Sequence, residues 1–105
     1  MQHRNLAAGR WQTLTLAEQL GNIGSEVGRA VHARDSVQRT SAGYRALELF
    51  DLTLADRRWY HRGSEVGRAR EVVGDFLFGG NTYHSTAASL ENYFMQFALV
   101  ARRDR

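Results

Sequence analysis

Residues 15–34 read TLAEQLGNIGSEVGRAVHAR, and this segment indicates the class of fold. Its apolar residues recur at steps of three and four, which is the spacing of one face of an α-helix. They are Leu16, Leu20, Ile23, Val27, Ala30 and Val31. Thr15 and Glu18 have the spacing of a capping box, in which a hydroxyl and a carboxylate satisfy backbone N–H groups at a helix start. The segment therefore predicts an amphipathic helix over residues 16–34.

Three further segments have the same helical spacing. They predict helices over residues 37–55, 64–78 and 87–103. The residue types that commonly cap helices precede each of them, and the expected N-caps are Asp35 or Ser36, then Ser64, then Ser85 or Thr86. Gly79 and Gly80 are expected to end the third helix, because glycine adopts the left-handed backbone that closes many helices.

The composition fits one small α-helical domain spanning residues 1–105, with 43% hydrophobic and 24% charged residues. The absence of cysteine excludes disulfides and thiolate metal or redox sites, and the absence of proline permits long helices. Short joints favour antiparallel neighbours, so we expect an all-α, up-down-up-down four-helix bundle. No apolar run approaches the roughly 18 residues of a membrane span, and no apolar signal-peptide core follows Met1, so we expect a cytoplasmic protein without a membrane partner.

Motifs that would carry catalysis or hold a cofactor are missing from the sequence. A dimetal site in a helical bundle needs Glu-x-x-His pairs, and no Glu is followed by His three residues on. The four histidines, His3, His32, His61 and His84, have no metal-ligand spacing. The two glycine-rich nucleotide-binding motifs, Gly-x-x-x-x-Gly-Lys and Gly-x-Gly-x-x-Gly, are both missing. We therefore expect a protein that is not an enzyme and that needs no cofactor.

Positive charge is concentrated at one end of the predicted bundle. All 14 basic residues are arginine, and the formal net charge is +3. The up-down topology places residues 1–11, 55–65 and 101–105 at the same end, where eight arginines face three acidic residues. We call this region the basic end. Its arginines are Arg4, Arg10, Arg57, Arg58, Arg62, Arg102, Arg103 and Arg105, and its acidic residues are Asp56, Glu65 and Asp104.

Aromatic residues lie among these arginines, namely Trp11, Trp59 and Tyr60. Guanidinium groups bind phosphates and aromatic rings stack on unpaired bases, which predicts a nucleic-acid interface formed by Arg10, Arg57, Arg58, Arg62, Arg102, Arg103, Trp59 and Tyr60. The alternative is structural: arginine near a helix C-terminus interacts favourably with the helix dipole, and the two tryptophans could cover the core.

Apolar residues cover more than one face of the third and fourth helices. The excess predicts self-association, with Phe78, Tyr93 and Met95 as interface residues. Polar residues near the inner faces are expected to form structural ion pairs or, alternatively, to contact a ligand; they are Asn22, Glu26, Asp51, Arg68, Arg70, Glu71 and Asp75. The heptapeptide GSEVGRA occurs at residues 24–30 and again at residues 63–69, which we interpret as local convergence or a small conversion event.

Three segments carry a resemblance to a known family. They are LAEQLGNIGSEV at residues 16–27, RALELFDL at residues 45–52, and GNTYHST at residues 80–86 followed by Tyr93 and Phe94. Together they resemble the bacterial Avd-like four-helix bundles, the accessory variability determinants of diversity-generating retroelements, which are related in fold to the 23S rRNA intervening-sequence proteins. The resemblance covers about residues 11–103.

The resemblance implies a homopentameric, basic barrel without enzyme activity. Such a barrel binds RNA or DNA and the retroelement reverse transcriptase, and it supports cDNA synthesis. The family's basic surface is a distributed property, so no single arginine is assigned by it. The alternative hypothesis is a structural or protein-interaction bundle without a nucleic-acid role, of a ribosome-associated or toxin-partner type.

Overall fold

The computed structural model describes residues 9–103, which form an all-helical fold without strands in that range. We label the helices α1 (Leu16–Val31), α2 (Ser36–Leu54), α3 (Gly63–Phe78) and α4 (Ala87–Arg103). A short 3-10 turn, Trp11–Thr13, precedes α1, and a 3-10 helix, Arg57–Arg62, joins α2 to α3. The four helices pack together, as expected from the four periodic segments.

Two of the expected helix starts are confirmed by side-chain hydrogen bonds. The Thr15 hydroxyl accepts from the Glu18 N–H at 3.1 Å, and the Glu18 carboxylate accepts from the Thr15 N–H at 2.8 Å, which completes the capping box. Asp35 caps α2 by accepting from the Gln38 N–H at 2.8 Å. Local sequence is sufficient for such caps because both partners lie within four residues.

The start of α4 follows the same rule. Of the two expected caps, Thr86 is the one used, since its hydroxyl accepts from the Ser89 N–H at 3.0 Å. In return, the Thr86 N–H donates to the Ser89 hydroxyl at 3.0 Å. A serine here takes the place that glutamate has in a capping box.

Other boundary predictions were wrong. Helix α1 ends at Val31 instead of residue 34, because the chain turns at His32 to bring Asp35 into its capping position. Ser64 does not cap α3, which begins at Gly63 without a side-chain cap because the 3-10 helix runs directly into it. Gly79 ends α3, as expected, but its backbone is extended rather than left-handed. The left-handed residues of the loop before α4 are Asn81 and His84, with φ of 53° and 55°.

The core lies around α1, which packs against both α2 and α4, while α3 packs against α2. The predicted stripe of α1 is buried: Leu20, Ile23, Val27 and Ala30 have no exposed surface. Helices α3 and α4 stay apart, and an apolar groove of about 270 Å³ lies between them. Within residues 9–103, no helix combines the length and apolarity needed to cross a bilayer.

Individual contacts fix how the helices face each other. On α1, Gly21 lies against Ala98 and Gly24 lies against Phe94, so α4 approaches α1 closely at these glycines. Glu26 on α1 bonds to Arg45 on α2 at 2.8 Å. Arg70 on α3 bonds to Asp51 on α2 at 2.8 Å. In the contact between α1 and α4, the later residue of α1 meets the earlier residue of α4.

Candidate nucleic-acid interface

A buried polar network underlies the basic end. Trp11 is 1% exposed, and its indole N–H donates to the Thr53 hydroxyl at 3.2 Å. The Gln19 amide donates to the Trp11 carbonyl at 2.9 Å and to the Asp56 carboxylate at 3.2 Å. Its oxygen accepts from the Trp59 indole N–H at 3.0 Å. Both indole N–H groups thus donate to side chains inside the protein, which favours the structural alternative for Trp11 and Trp59.

Gln19 joins the turn before α1 to the joint between α2 and α3, and sequence reasoning missed it. It is fully buried, with all of its amide partners inside the protein. The available signal was its position, because it falls between Leu16 and Ile23 on the apolar face of α1. A polar residue at such a position requires internal hydrogen bonds.

Arg58 is held by neighbours within the protein. Its guanidinium makes a bidentate ion pair with Asp56, with contacts of 2.7 and 3.0 Å, and donates to the Leu14 carbonyl at 2.8 Å. It also lies over the Trp59 ring, 4.4 Å from the centroid. The predicted binding residues Arg58 and Trp59 therefore contact each other, and one face of the indole is occupied by the guanidinium.

The same contacts affect the charge state of Asp56, which is only 3% exposed. The hydrogen bond from Arg58 holds the pKa of the Asp56 carboxyl below its ordinary value, against the opposing effect of burial, with further hydrogen bonds from the Arg58 backbone and Gln19. The partnership raises the pKa of Arg58 in turn. This pair is a charged anchor that fixes the 3-10 helix to the bundle.

Other arginines of the basic end point to solvent. Arg10 and Arg102 line one cleft of about 560 Å³ along α1, which the structure thus brings together from the two ends of the described chain. Arg57 is exposed on the 3-10 helix, next to Arg58 in sequence. None of these three side chains forms a hydrogen bond or ion pair with another residue in the range 9–103. Two acidic residues, Glu18 and Glu26, line the same cleft as Arg10 and Arg102.

The remaining predicted binding residues differ in availability. Tyr60 is 62% exposed, which leaves its ring accessible for stacking. Arg62 is bonded to Glu65 three residues later. Arg103 is exposed in the last turn of α4. Arg4, Asp104 and Arg105 lie outside the described residues.

The three predicted interface residues lie on separate surfaces. Phe78 is 41% exposed and stacks on Tyr44 of α2, with ring centroids 4.9 Å apart. Tyr93 is half-buried in the groove between α3 and α4, where burial raises the pKa of its phenol. Met95 is two positions further along α4, which is about 200° around the helix, and it is exposed together with Leu99. The protein thus presents several small apolar areas instead of one.

The expected structural ion pairs include one that is confirmed, between Arg70 and Asp51. Glu26 bonds to Arg29 and Arg45, neither of which was expected as its partner. Asp75 instead holds the loop before α4: its carboxylate accepts from the N–H groups of Thr82 and Tyr83 at 2.9 and 3.0 Å.

These hydrogen bonds, that from Tyr83 foremost, lower the pKa of the Asp75 carboxyl. Arg68 lies over the Tyr83 ring at 5.7 Å, and Glu71 accepts from the Tyr83 hydroxyl at 3.1 Å. The loop is therefore tied to α3 by a carboxylate, a cation–π contact and a phenol hydrogen bond.

The histidines remain dispersed. His32 bonds to Glu91 at 2.9 Å and links the end of α1 to α4. No group of three or more His, Cys, Asp or Glu side chains in the described part of the chain is placed to hold a metal ion. His3 lies outside that part.

We compared the chain with protein families, curated proteins and solved structures. No protein-family model, curated protein or solved structure matches the chain.

Proposed function

We propose that the protein is a non-catalytic nucleic-acid-binding bundle, with its basic end as the binding surface. The observation that carries the proposal is the cleft in which Arg10 and Arg102 meet without partners among the described residues. Guanidinium groups bind phosphates, and exposed Arg57 and Tyr60 add a further cation and a stacking ring on the 3-10 helix. Arg58 and Trp59 serve a different part in this proposal, because they anchor the 3-10 helix that carries Arg57 and Tyr60.

The proposal includes an up-down-up-down topology. It is supported by the contacts of α1 with α4 and of α2 with α3, each of which runs in opposite residue order. It also includes assembly into a ring or barrel, a pentamer by the resemblance to Avd-like proteins. Exposed Met95 and Leu99 on α4, and the groove beside Tyr93, supply apolar surface for such contacts.

Within this proposal the protein acts as an accessory of a diversity-generating retroelement. It would hold the RNA template and the reverse transcriptase together during cDNA synthesis, through many weak arginine contacts around the assembly. Affinity purification of the protein from its native host tests this role, with RNA and protein both identified. Recovery of a reverse transcriptase with a structured noncoding RNA supports it, and recovery of protein partners alone contradicts it.

The salt dependence of RNA affinity tests the binding surface itself. Each phosphate contact to a single strand contributes about −0.7 to the slope of log affinity against log salt concentration. We expect Arg57→Gln combined with Arg102→Gln to weaken binding of a single-stranded RNA oligonucleotide and to reduce the magnitude of the slope by about 1.4. The control is Arg39→Gln combined with Arg68→Gln, which removes two charges outside the basic end. An equal loss in both double variants would contradict the assignment to the basic end.

A protein-interaction bundle without nucleic-acid binding is the second candidate. The stacked and exposed pair of Tyr44 and Phe78 favours it, since exposed aromatic pairs are frequent at protein interfaces. RNA affinity that is absent at low salt, together with protein capture that is insensitive to salt, would support this candidate over the first.

A further inference from the structure

A second cleft lies between the end of α1 and the first turns of α2, and it has a volume of about 570 Å³. Its ionisable lining residues are Arg29, His32, Arg34 and Arg45, and no acidic residue lines it. The chain as a whole has 11 acidic residues against 14 arginines, so a cleft lined by three arginines and no acid is strongly biased. We call it the α1–α2 cleft.

The cleft is partly organised before any ligand arrives. Glu26, which is 7% exposed, bonds to both Arg29 and Arg45. Arg45 also donates to the Ser41 hydroxyl at 2.8 Å. One carboxylate thus orients two guanidinium groups, and because it balances only one of them, positive charge remains.

Arg34 adds a further positive charge to the cleft. It is exposed and makes no hydrogen bond or ion pair with another of the described residues. The neighbouring Asp35 does not line the cleft, and its carboxylate accepts from the Gln38 N–H as the cap of α2. His32 is directed to Glu91 on α4.

We propose that the α1–α2 cleft binds a small phosphorylated molecule. Three arginines line this one concave site, and guanidinium groups bind phosphate through charge and paired N–H donors. Gln38 and Ser41 supply further hydrogen-bonding groups, and Val37 and Ala42 supply apolar surface for an organic moiety. The volume is within the range of about 300 to 1,000 Å³ that is usual for small-molecule sites.

The α1–α2 cleft and the cleft of Arg10 and Arg102 share one lining residue, Arg29. Arg34 and Arg45 line only the α1–α2 cleft, whereas Arg10 and Arg102 line only the other. Variants of Arg34 and of Arg102 therefore test the two proposals separately.

Calorimetric titration of pyrophosphate into the full chain, at constant ionic strength, tests the proposal. We expect saturable binding at one site per chain, weakened at least about tenfold by Arg34→Gln. Arg34 has no partner to lose within the described protein, so this variant keeps its fold. Arg45→Gln is the second variant, and Arg29 still pairs with Glu26 in it. The matched control is Arg39→Gln combined with Arg68→Gln, which line neither this cleft nor the cleft of Arg10 and Arg102, and which should bind pyrophosphate as the wild type does.

Three results would overturn the proposal. The first is the absence of saturable pyrophosphate binding by the wild type. The second is an equal loss in the control variant, which would indicate attraction by net charge alone. The third is displacement of pyrophosphate by a single-stranded RNA oligonucleotide, which would make the cleft part of a nucleic-acid surface.

Discussion

At the residue scale, Asp56 shows how a charged side chain is retained in a small core. It accepts from Gln19 and Arg58, and these bonds connect α1 with the 3-10 helix. Burying a carboxylate is unfavourable unless charged or polar donors compensate. The same network binds Arg58 through Asp56 and Trp59 through Gln19, whereas their neighbours Arg57 and Tyr60 are exposed.

The first prediction concerns the pH dependence of stability. The folded-state pKa of Asp56 lies below its ordinary 3.8, so its ionisation stabilises the fold above about pH 4. That contribution is lost as pH falls through the lower folded-state pKa. We expect Asp56→Asn to lower the free energy of unfolding at pH 7 by about 1 to 3 kcal/mol and to flatten its decline in acid.

Urea unfolding at a series of pH values measures both effects. Asp35→Asn is the control, because asparagine also caps helices and should leave stability nearly unchanged. A wild-type stability that stays constant down to pH 3, or an Asp56→Asn variant as stable as the control, would contradict this role of Asp56.

At the element scale, the close approach of α1 and α4 depends on glycine. A Cβ at Gly24 would lie 2.5 Å from the Phe94 Cβ and 2.9 Å from its Cγ, both inside contact distance. Gly28, one turn later on the same helix, has nothing within 4 Å of such an atom. Position 24 therefore has no room for a side chain, whereas position 28 does.

The second prediction follows from this difference. Gly24→Ala should destabilise the protein by about 1 to 3 kcal/mol, because the extra methyl group overpacks the contact with Phe94. Gly28→Ala should stabilise it by about 0.5 to 1 kcal/mol through higher helix propensity. Thermal and urea unfolding of both variants measures the difference. Stabilisation by both substitutions would contradict the close packing of α1 on α4.

The repeated heptapeptide demonstrates the limit of sequence reasoning at this scale. Val27 and Val66 occupy the same position in the two copies, and both are buried, as periodicity alone predicts. Gly24 and Gly63 are also equivalent, yet only Gly24 touches another helix. Contact between helices distant in sequence depends on tertiary packing, and the heptapeptide carries no information about it.

The sequence also predicted only part of the candidate site. The exposure of Arg57 and Tyr60 agrees with their location in a polar joint between helices. The occupation of Arg58 could not be foreseen, because its partners include the Leu14 carbonyl, which only the folded chain brings near. The left-handed residues were misplaced for a related reason: Asp75 holds the loop through Thr82 and Tyr83, so the backbone reverses at Asn81 instead of Gly79.

At the scale of the whole molecule, several apolar side chains remain in solvent. Met95 and Leu99 are 55% and 53% exposed, and they lie one turn apart on α4. A chain of 11.9 kDa has a small core, and exposed apolar pairs of this kind are a common basis of assembly.

The third prediction is that the protein self-associates through this face of α4. Light scattering coupled to size-exclusion chromatography should give a mass well above 11.9 kDa at micromolar concentration. Met95→Asp should lower that mass, because a carboxylate would be buried without a partner. Gln96→Asp, which adds the same charge to an exposed neighbour, should not. A wild-type monomer would contradict self-association.

The central claim is that nucleic acid binds at the basic end, and NMR of the arginine side-chain Nε–Hε groups tests it most directly. On addition of single-stranded RNA, the account predicts the largest shifts at Arg10, Arg57 and Arg102, with small shifts at Arg58, whose Nε already donates to Asp56. Shifts confined to the α1–α2 cleft, or no shift at any arginine at low salt, would contradict it.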